Sequence, residues 1–214
     1  MLTTVHKPSD TRIYHKEGKS LVKDGHSVTL VAPYDKLIDE IWDGVHIKTI
    51  KKMNSKPFHF LTMWKVLLRG LKEDCDVYHC HEPGSLLICY ILRAIKRKKI
   101  VYDIHEHYPR LISENLSLPS TLNKYIHPIA YYVVHHSERF FARSADYLIV
   151  VDQILKDKFT DVNTNIEIIH NYPIVNLFQE HLSTIQEKNL IYVGGLTKIR
   201  GILEAIKAFT VLLE

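Results

Sequence analysis

Cysteine is scarce in this sequence, with three residues among 214, at positions 75, 80 and 89. They make neither a zinc-binding spacing nor an even disulfide framework, which excludes zinc-finger and disulfide-stapled scaffolds. Cys75 and Cys80, five apart on one expected strand, point to opposite faces, and a reducing, cytoplasmic compartment is expected. Long apolar runs are absent too. "IAYYVV" (129–134) falls far short of the ~18 residues a membrane span requires. The N-terminus turns polar by His6, unlike a secretory leader. There are no internal repeats and no low-complexity tracts. Neither G-x-G-x-x-G nor a Walker loop occurs, so those two phosphate-binding readings are set aside.

What is present is the composition of a globular protein, 46% hydrophobic and 24% charged. A net charge of +4 is too weak by itself to imply nucleic acid. Basic residues do cluster in "KRKK" (96–99) and along "TIKKMNSKPFHFLTMWKVLLRGLK" (49–72). The second stretch interleaves Lys51, Lys52, Lys56, Lys65 and Arg69 with Phe58, Phe60, Met63 and Trp64. It reads either as a helix that touches anionic lipid headgroups or as one packed on a sheet with a solvated basic face.

Strand and helix signals alternate along the chain. "LTTV" (2–5) reads as a short strand, then Asp10 as the N-cap of a helix over "TRIYHKEGKSLVKD". Strands are expected at 26–33, ended by Pro33, and at 44–50, and the basic amphipathic helix over about 57–72. "CDVYHC", "KIVYDIH", "ADYLIVV" (145–151) and "IEIIH" (166–170) read as buried strands. Helices are expected over "GSLLICYILRAIKR", about 121–143, and "DQILKDKF", and a loop with Pro109 and Pro119 precedes the second of these. The alternation argues for an α/β, Rossmann-like doubly wound parallel sheet over 1–170. Residues 171–187 read as a linker. Residues 188–214 restart the pattern as strand, glycine turn and helix, the first unit of a second domain.

Open parallel sheets bind ligands beyond the carboxyl ends of their strands. His6, the His81-Glu82 pair, the His105-Glu106 pair and His170 all fall at such ends, which points to a polar cleft. A metal site is the competing reading. His79 and His81 share a strand face, as do His105 and His107 if their strand continues, and a metal-dependent hydrolase could be built on such pairs. A second signal is "VGGLTKIRG" (193–201). Glycines after a strand and before a helix, with Lys198 and Arg200 nearby, offer a place for a phosphate; a plain tight turn is the alternative.

Five stretches, in order, resemble glycosyltransferase family 4, whose members are retaining enzymes of the GT-B fold. "TTVHKPSDTRIYHKEGKSLVKDGHSVTLVA" is similar to the opening of one branch of that family, where a Val-His turn and Asp-x-Arg-Ile lead into the first helix. "DVYHCHEP" resembles its His-x-His-Asp/Glu strand end, and "VYDIHEHYP" its Tyr-Asp-x-His-Glu strand end. "ERFFARSADYLIVVD" resembles its Glu-x6-Ala-Asp stretch, and "YVGGLTKIRGILEAIKAF" its glycine turn. The family often has Arg at the position of Gly195 and Lys at that of Arg200, and its usual glycine pair in the first loop is replaced here by "HKPSD".

The resemblance implies that 1–170 is the acceptor-binding, N-terminal half of a GT-B fold, and that 188–214 begins the nucleotide-sugar-binding domain. His105 matches the family histidine that reaches the donor sugar and its leaving phosphate. His6, Asp10, Arg12, His81, Glu82 and Glu106 are the expected cleft residues. Gly194, Gly195, Lys198 and Arg200 are expected to take the donor diphosphate. The implied reaction is a metal-independent transfer, without cofactor, from a nucleotide-sugar to a polysaccharide or lipid-linked acceptor of the cell surface. The family's Glu-x7-Glu donor motif does not occur before Glu214, so the chain alone is expected to be inactive. The remaining alternative is an acceptor-binding partner subunit of a split enzyme. The expected place of work is the cytoplasm, at the inner face of the membrane, with no nucleic-acid partner.

Overall fold

The computed structural model describes residues 1–53, 58–114, 116, 120–174, 191–194 and 201–212. It divides into two compact units, Met1–Ile174 and Val175–Glu214. The boundary falls inside the stretch that reads as a linker.

The first unit carries seven strands: β1 (Val28–Tyr34), β2 (Asp39–Trp42), β3 (Val45–Lys51), β4 (Val77–Cys80), β5 (Lys99–Ile104), β6 (Tyr147–Val150) and β7 (Ile166–Ile168). β1 and β3 pair in parallel with Val28 opposite Val45, and β4 to β7 form a parallel run in sequence order. Leu2 joins the two groups, bridging to Val31 on one side and Cys80 on the other. The order across the whole is therefore β2-β3-β1, the N-terminal segment, then β4-β5-β6-β7. The chain runs outwards in both directions from Leu2, so a topological switch point lies there.

The expected strand at 2–5 is thus reduced to one bridging residue. Its continuation is diverted, because the buried Glu82 carboxylate takes the Thr4 backbone N–H and the Thr3 hydroxyl, the latter at 3.1 Å. β2 was expected to be loop. It is the outer strand of a hairpin whose two-residue turn, Asp43-Gly44, has φ of 46° and 84° between the paired Trp42 and Val45. Positive φ at both turn positions is what twists a tight hairpin correctly. Pro33 does not end β1 but lies within it, opposite Ile50.

Helices cover both faces. α1 (Lys19–Lys23) is entered through a π-helical stretch, Thr11–Gly18, where a regular α-helix was expected. Asp10 caps it, its Oδ1 accepting from the N–H groups of Arg12 at 2.9 Å and Ile13 at 3.0 Å. Ile13 and Tyr14 pack there against Leu30, Ala32, Val45 and Ile47. The other face of β1 sends Val31 into a larger core with α2 (His59–Lys72), α3 (Pro83–Lys96) and β4 to β7. This alternation of Leu30 and Val31 is the period of two that a sheet covered on both sides requires. α2 and α3 approach closely at Gly70, where a Cβ would lie 2.8 Å from Leu92 Cδ1.

α4 (Tyr108–Glu114) occupies part of the expected loop, with Pro109 in its first turn, where its missing N–H costs nothing. α5 (Ser120–Ala142) and α6 (Gln153–Phe159) complete the unit. The second unit contains α7 (Ile202–Leu212); residues 191–193, part of an expected strand, carry no strand among the described residues. No helix among the described residues is long and apolar enough to cross a membrane.

Candidate functional site

Three of the expected cleft residues meet at the switch point, each from a different element. His6 follows the N-terminal segment, His81 follows β4 and His105 follows β5. The rings of His6 and His105 lie 5.3 Å apart, and those of His81 and His105 6.4 Å apart. His79 and His81 stack at 4.5 Å, as their shared strand face requires.

The residue that organises them is Asp103, which is fully buried in β5 and absent from the expected set. Arg12 binds it in bidentate fashion, with Nε to Oδ2 and Nη2 to Oδ1 both at 2.7 Å. His81 Nδ1 and His105 Nδ1 lie 3.3 and 3.2 Å from the same Oδ2. Burial alone would raise the Asp103 carboxyl, but contacts with Arg12, His105 and His81 outweigh it and hold the group well below the ordinary range. A carboxylate only accepts hydrogen bonds, so it fixes the proton of His105 on Nδ1. His105 Nε2 faces the Tyr108 hydroxyl at 3.3 Å, and that hydroxyl donates to the His81 carbonyl.

Glu17 is the second residue the sequence reading missed. Its Oε1 lies 2.9 Å from Arg12 Nε, and its carboxyl is hydrogen-bonded with that of Asp103. Burial first, and then repulsion from Asp103, push its carboxyl up to about 10. Of the two carboxyls, Asp103 is thus the one whose charge Arg12 chiefly meets. His79 Nε2 and His6 Nε2 are buried without hydrogen-bond partners.

His6 also pairs with Asp10 at 3.3 Å. Burial lowers the His6 pKa, but the contact with Asp10 and the nearby charges of Glu82 and Glu106 more than reverse this and raise it. The Asp10 carboxyl is lowered, because burial is outweighed by His6 and by the helix N–H groups it caps. The sign follows for stability. The His6 contribution is full below the ordinary value of 6.5 and is lost as pH rises through its higher folded value. That of Asp10 is full above 3.8 and is lost as pH falls through its lower one. Asp10→Asn is expected to lower the His6 pKa, read from the imidazole C–H shift in an NMR titration; an unmoved value would mean that other carboxylates hold the proton.

The remaining expected residues sit differently. Glu82 is engaged with Thr3 and Thr4 and not open to a ligand. Glu106 is exposed at the rim, lining a narrow cleft with His107, His135 and Glu138. His107 turns towards α5, its ring 6.4 Å from that of Tyr131, so His105 and His107 do not form a pair. His170 is exposed, with Nδ1 2.8 Å from the Val151 carbonyl oxygen. The Glu-x6-Ala-Asp residues are internal supports. Buried Glu138, pushed by burial up to about 7, accepts from the Tyr102 hydroxyl, and Asp146 accepts from Ile100 N–H and Arg93. Gly194 is described without regular structure; Gly195, Lys198 and Arg200 lie outside the described residues. A shallow groove of about 280 Å³ beside Ala145 and Asn163 lies at the amino ends of β6 and β7, the opposite rim from this histidine cluster.

A model of the family described as Glycosyltransferase Family 4 matches residues 12–172, which include Arg12, Glu17, His81, Asp103 and His105. Among solved structures, the chain is similar to sucrose-phosphate synthase from Thermosynechococcus elongatus, with a TM-score of 0.62 and 13% identity. The match covers 83% of this chain and 48% of that one, so the chain spans about half the length of that structure. At this identity the likeness speaks for the fold, that of the Rossmann-like half of a GT-B enzyme. No curated protein sequence matches.

Proposed function

The chain belongs to glycosyltransferase family 4, and we propose that it is the acceptor-side half of a retaining transferase that moves a sugar from a nucleotide-sugar to a polysaccharide or lipid-linked acceptor. The observation that carries this reading is His105. It stands at the carboxyl rim of the switch point, where open α/β sheets bind ligands, with Nδ1 3.2 Å from a buried carboxylate. An imidazole so held can hydrogen-bond a sugar hydroxyl and stabilise the charge of an oxocarbenium-like transition state. No metal ion is needed in this transfer step. Gly194, Gly195, Lys198 and Arg200 are proposed to receive the donor diphosphate, Arg200 by its bidentate fork.

The finer assignments rest on surface chemistry. Phe58, Phe60, Trp64 and Leu68 are exposed, as are Lys51 and Lys52 a few residues earlier in the chain, which suits peripheral contact with an anionic cytoplasmic membrane face. Arg69 does not join that face, since it pairs with Glu73 at 3.0 Å and Asp39 at 2.9 Å. Leu203, Ile206 and Phe209 of α7 are exposed, an apolar face that the rest of a donor domain would cover, whether on this polypeptide or, in a split enzyme, on another.

Calorimetric titration with UDP, GDP and their sugars tests the reading. The chain alone is expected to bind them no tighter than millimolar. Joined to a complete donor domain, it is expected to bind one in the micromolar range, unaffected by added magnesium and weakened by Arg200→Ala. Failure of the joined protein to bind any nucleotide-sugar would overturn the assignment.

A further inference from the structure

Beneath the rim, Glu17, His79, His81 and Asp103 each offer one ligand atom, and the four atoms lie within 4.8 Å of one another. His81 Nδ1 is 3.3 Å from Asp103 Oδ2 and 3.6 Å from Glu17 Oε2, which is 3.8 Å from His79 Nε2. The last two separations are too long for hydrogen bonds. They are close to the spacing of about 3.3 Å that bonds of about 2.0–2.1 Å set between the ligands of a tetrahedral ion. His79 Nε2 is buried with no hydrogen-bond partner, an arrangement proteins rarely leave unanswered, and Glu17 Oε2 is the carboxylate oxygen nearest it.

We propose that these four side chains form a binding site for a divalent transition-metal ion, with zinc the best fit. Two imidazole nitrogens and two carboxylate oxygens suit zinc rather than magnesium or calcium, which favour oxygen ligands throughout. His81 ligates through Nδ1, with its proton on Nε2. Arg12, whose Nε and Nη2 each lie 2.7 Å from an Asp103 oxygen, supplies the outer hydrogen bonds that orient that ligating carboxylate. The ion would rest under His105, not in reach of a substrate, and its role is to fix the floor that carries that histidine.

The test does not depend on sugar transfer, so its failure is separable from that of the proposed function. The full chain, stripped with chelator, is titrated with zinc chloride against a chromophoric competitor. One equivalent is expected to bind and to raise the thermal midpoint. Glu17→Gln and His79→Gln, close in shape to the native residues, are each expected to weaken binding by more than the about 10–100-fold typical of outer-shell changes. His107→Gln should leave it unchanged. Binding well below one equivalent, or binding that survives His79→Gln at full strength, would overturn the site.

Discussion

Arg12→Ala is expected to destabilise the protein by about 3–5 kcal/mol, the usual cost of stripping a buried charge of its partner. Total stabilities run to about 5–15 kcal/mol, so the variant would stand near the edge of folding at ordinary temperature. The reason is local. Asp103 is fully buried on a central strand, and both its oxygens are held by the Arg12 guanidinium at 2.7 Å. His81 on Oδ2 is a poor replacement for that charge, because burial lowers its pKa and disfavours the protonated form. Arg12→Lys should recover little, since an ammonium cannot span both oxygens. Arg12→Met combined with Asp103→Leu should recover most, because removing both partners leaves no charge to solvate. Urea denaturation followed by circular dichroism measures all three. The native protein supplies a further check. The folded Asp103 carboxyl is depressed, so the pair stabilises fully above about pH 3.9, the ordinary aspartate value, and the contribution is lost as pH falls through the lower folded one.

That network was only half legible in the sequence, and the half that was hidden has a physical cause. His81 and His105 stand at strand ends before a turn, a position that sequence pattern finds readily. Asp103 lies inside "VYDI", where apolar neighbours mask it. The signal was there, since a carboxylate on a strand buried on both faces cannot be solvated and must have a buried cation. Glu17 was hidden by an assumption about pitch. Five residues along an α-helix is a rotation of about 140° from the starting face, so Arg12 and Glu17 read as unrelated. In the π-helical stretch Thr11–Gly18 the wider turn brings them to one side, with Oε1 2.9 Å from Nε. β2 was missed although Asp43-Gly44 is among the strongest hairpin signals, because no apolar alternation precedes it. The parallel sheet itself was easier to read, because "YLIVV" and "KIVYDI" are apolar enough to be buried on both faces.

His105→Ala is expected to cut sugar transfer by about 10²–10³ in turnover, the loss typical of one preorganised group that stabilises transition-state charge. The assay is made with a complete donor domain present. The fold should survive, because the ring sits at the rim and Asp103 keeps its stronger partner in Arg12. The Michaelis constant for the nucleotide-sugar should move much less than turnover, since a contact made mainly in the transition state contributes little to ground-state binding. Tyr108→Phe supplies the contrast. It removes the hydroxyl 3.3 Å from His105 Nε2 while leaving the Nδ1 contact with Asp103 in place. Its loss of turnover should be smaller. If His105→Ala kept full turnover but raised the acceptor's Michaelis constant, the histidine would belong to acceptor recognition. The charge in the transition state would then have to be met from the donor side of the cleft.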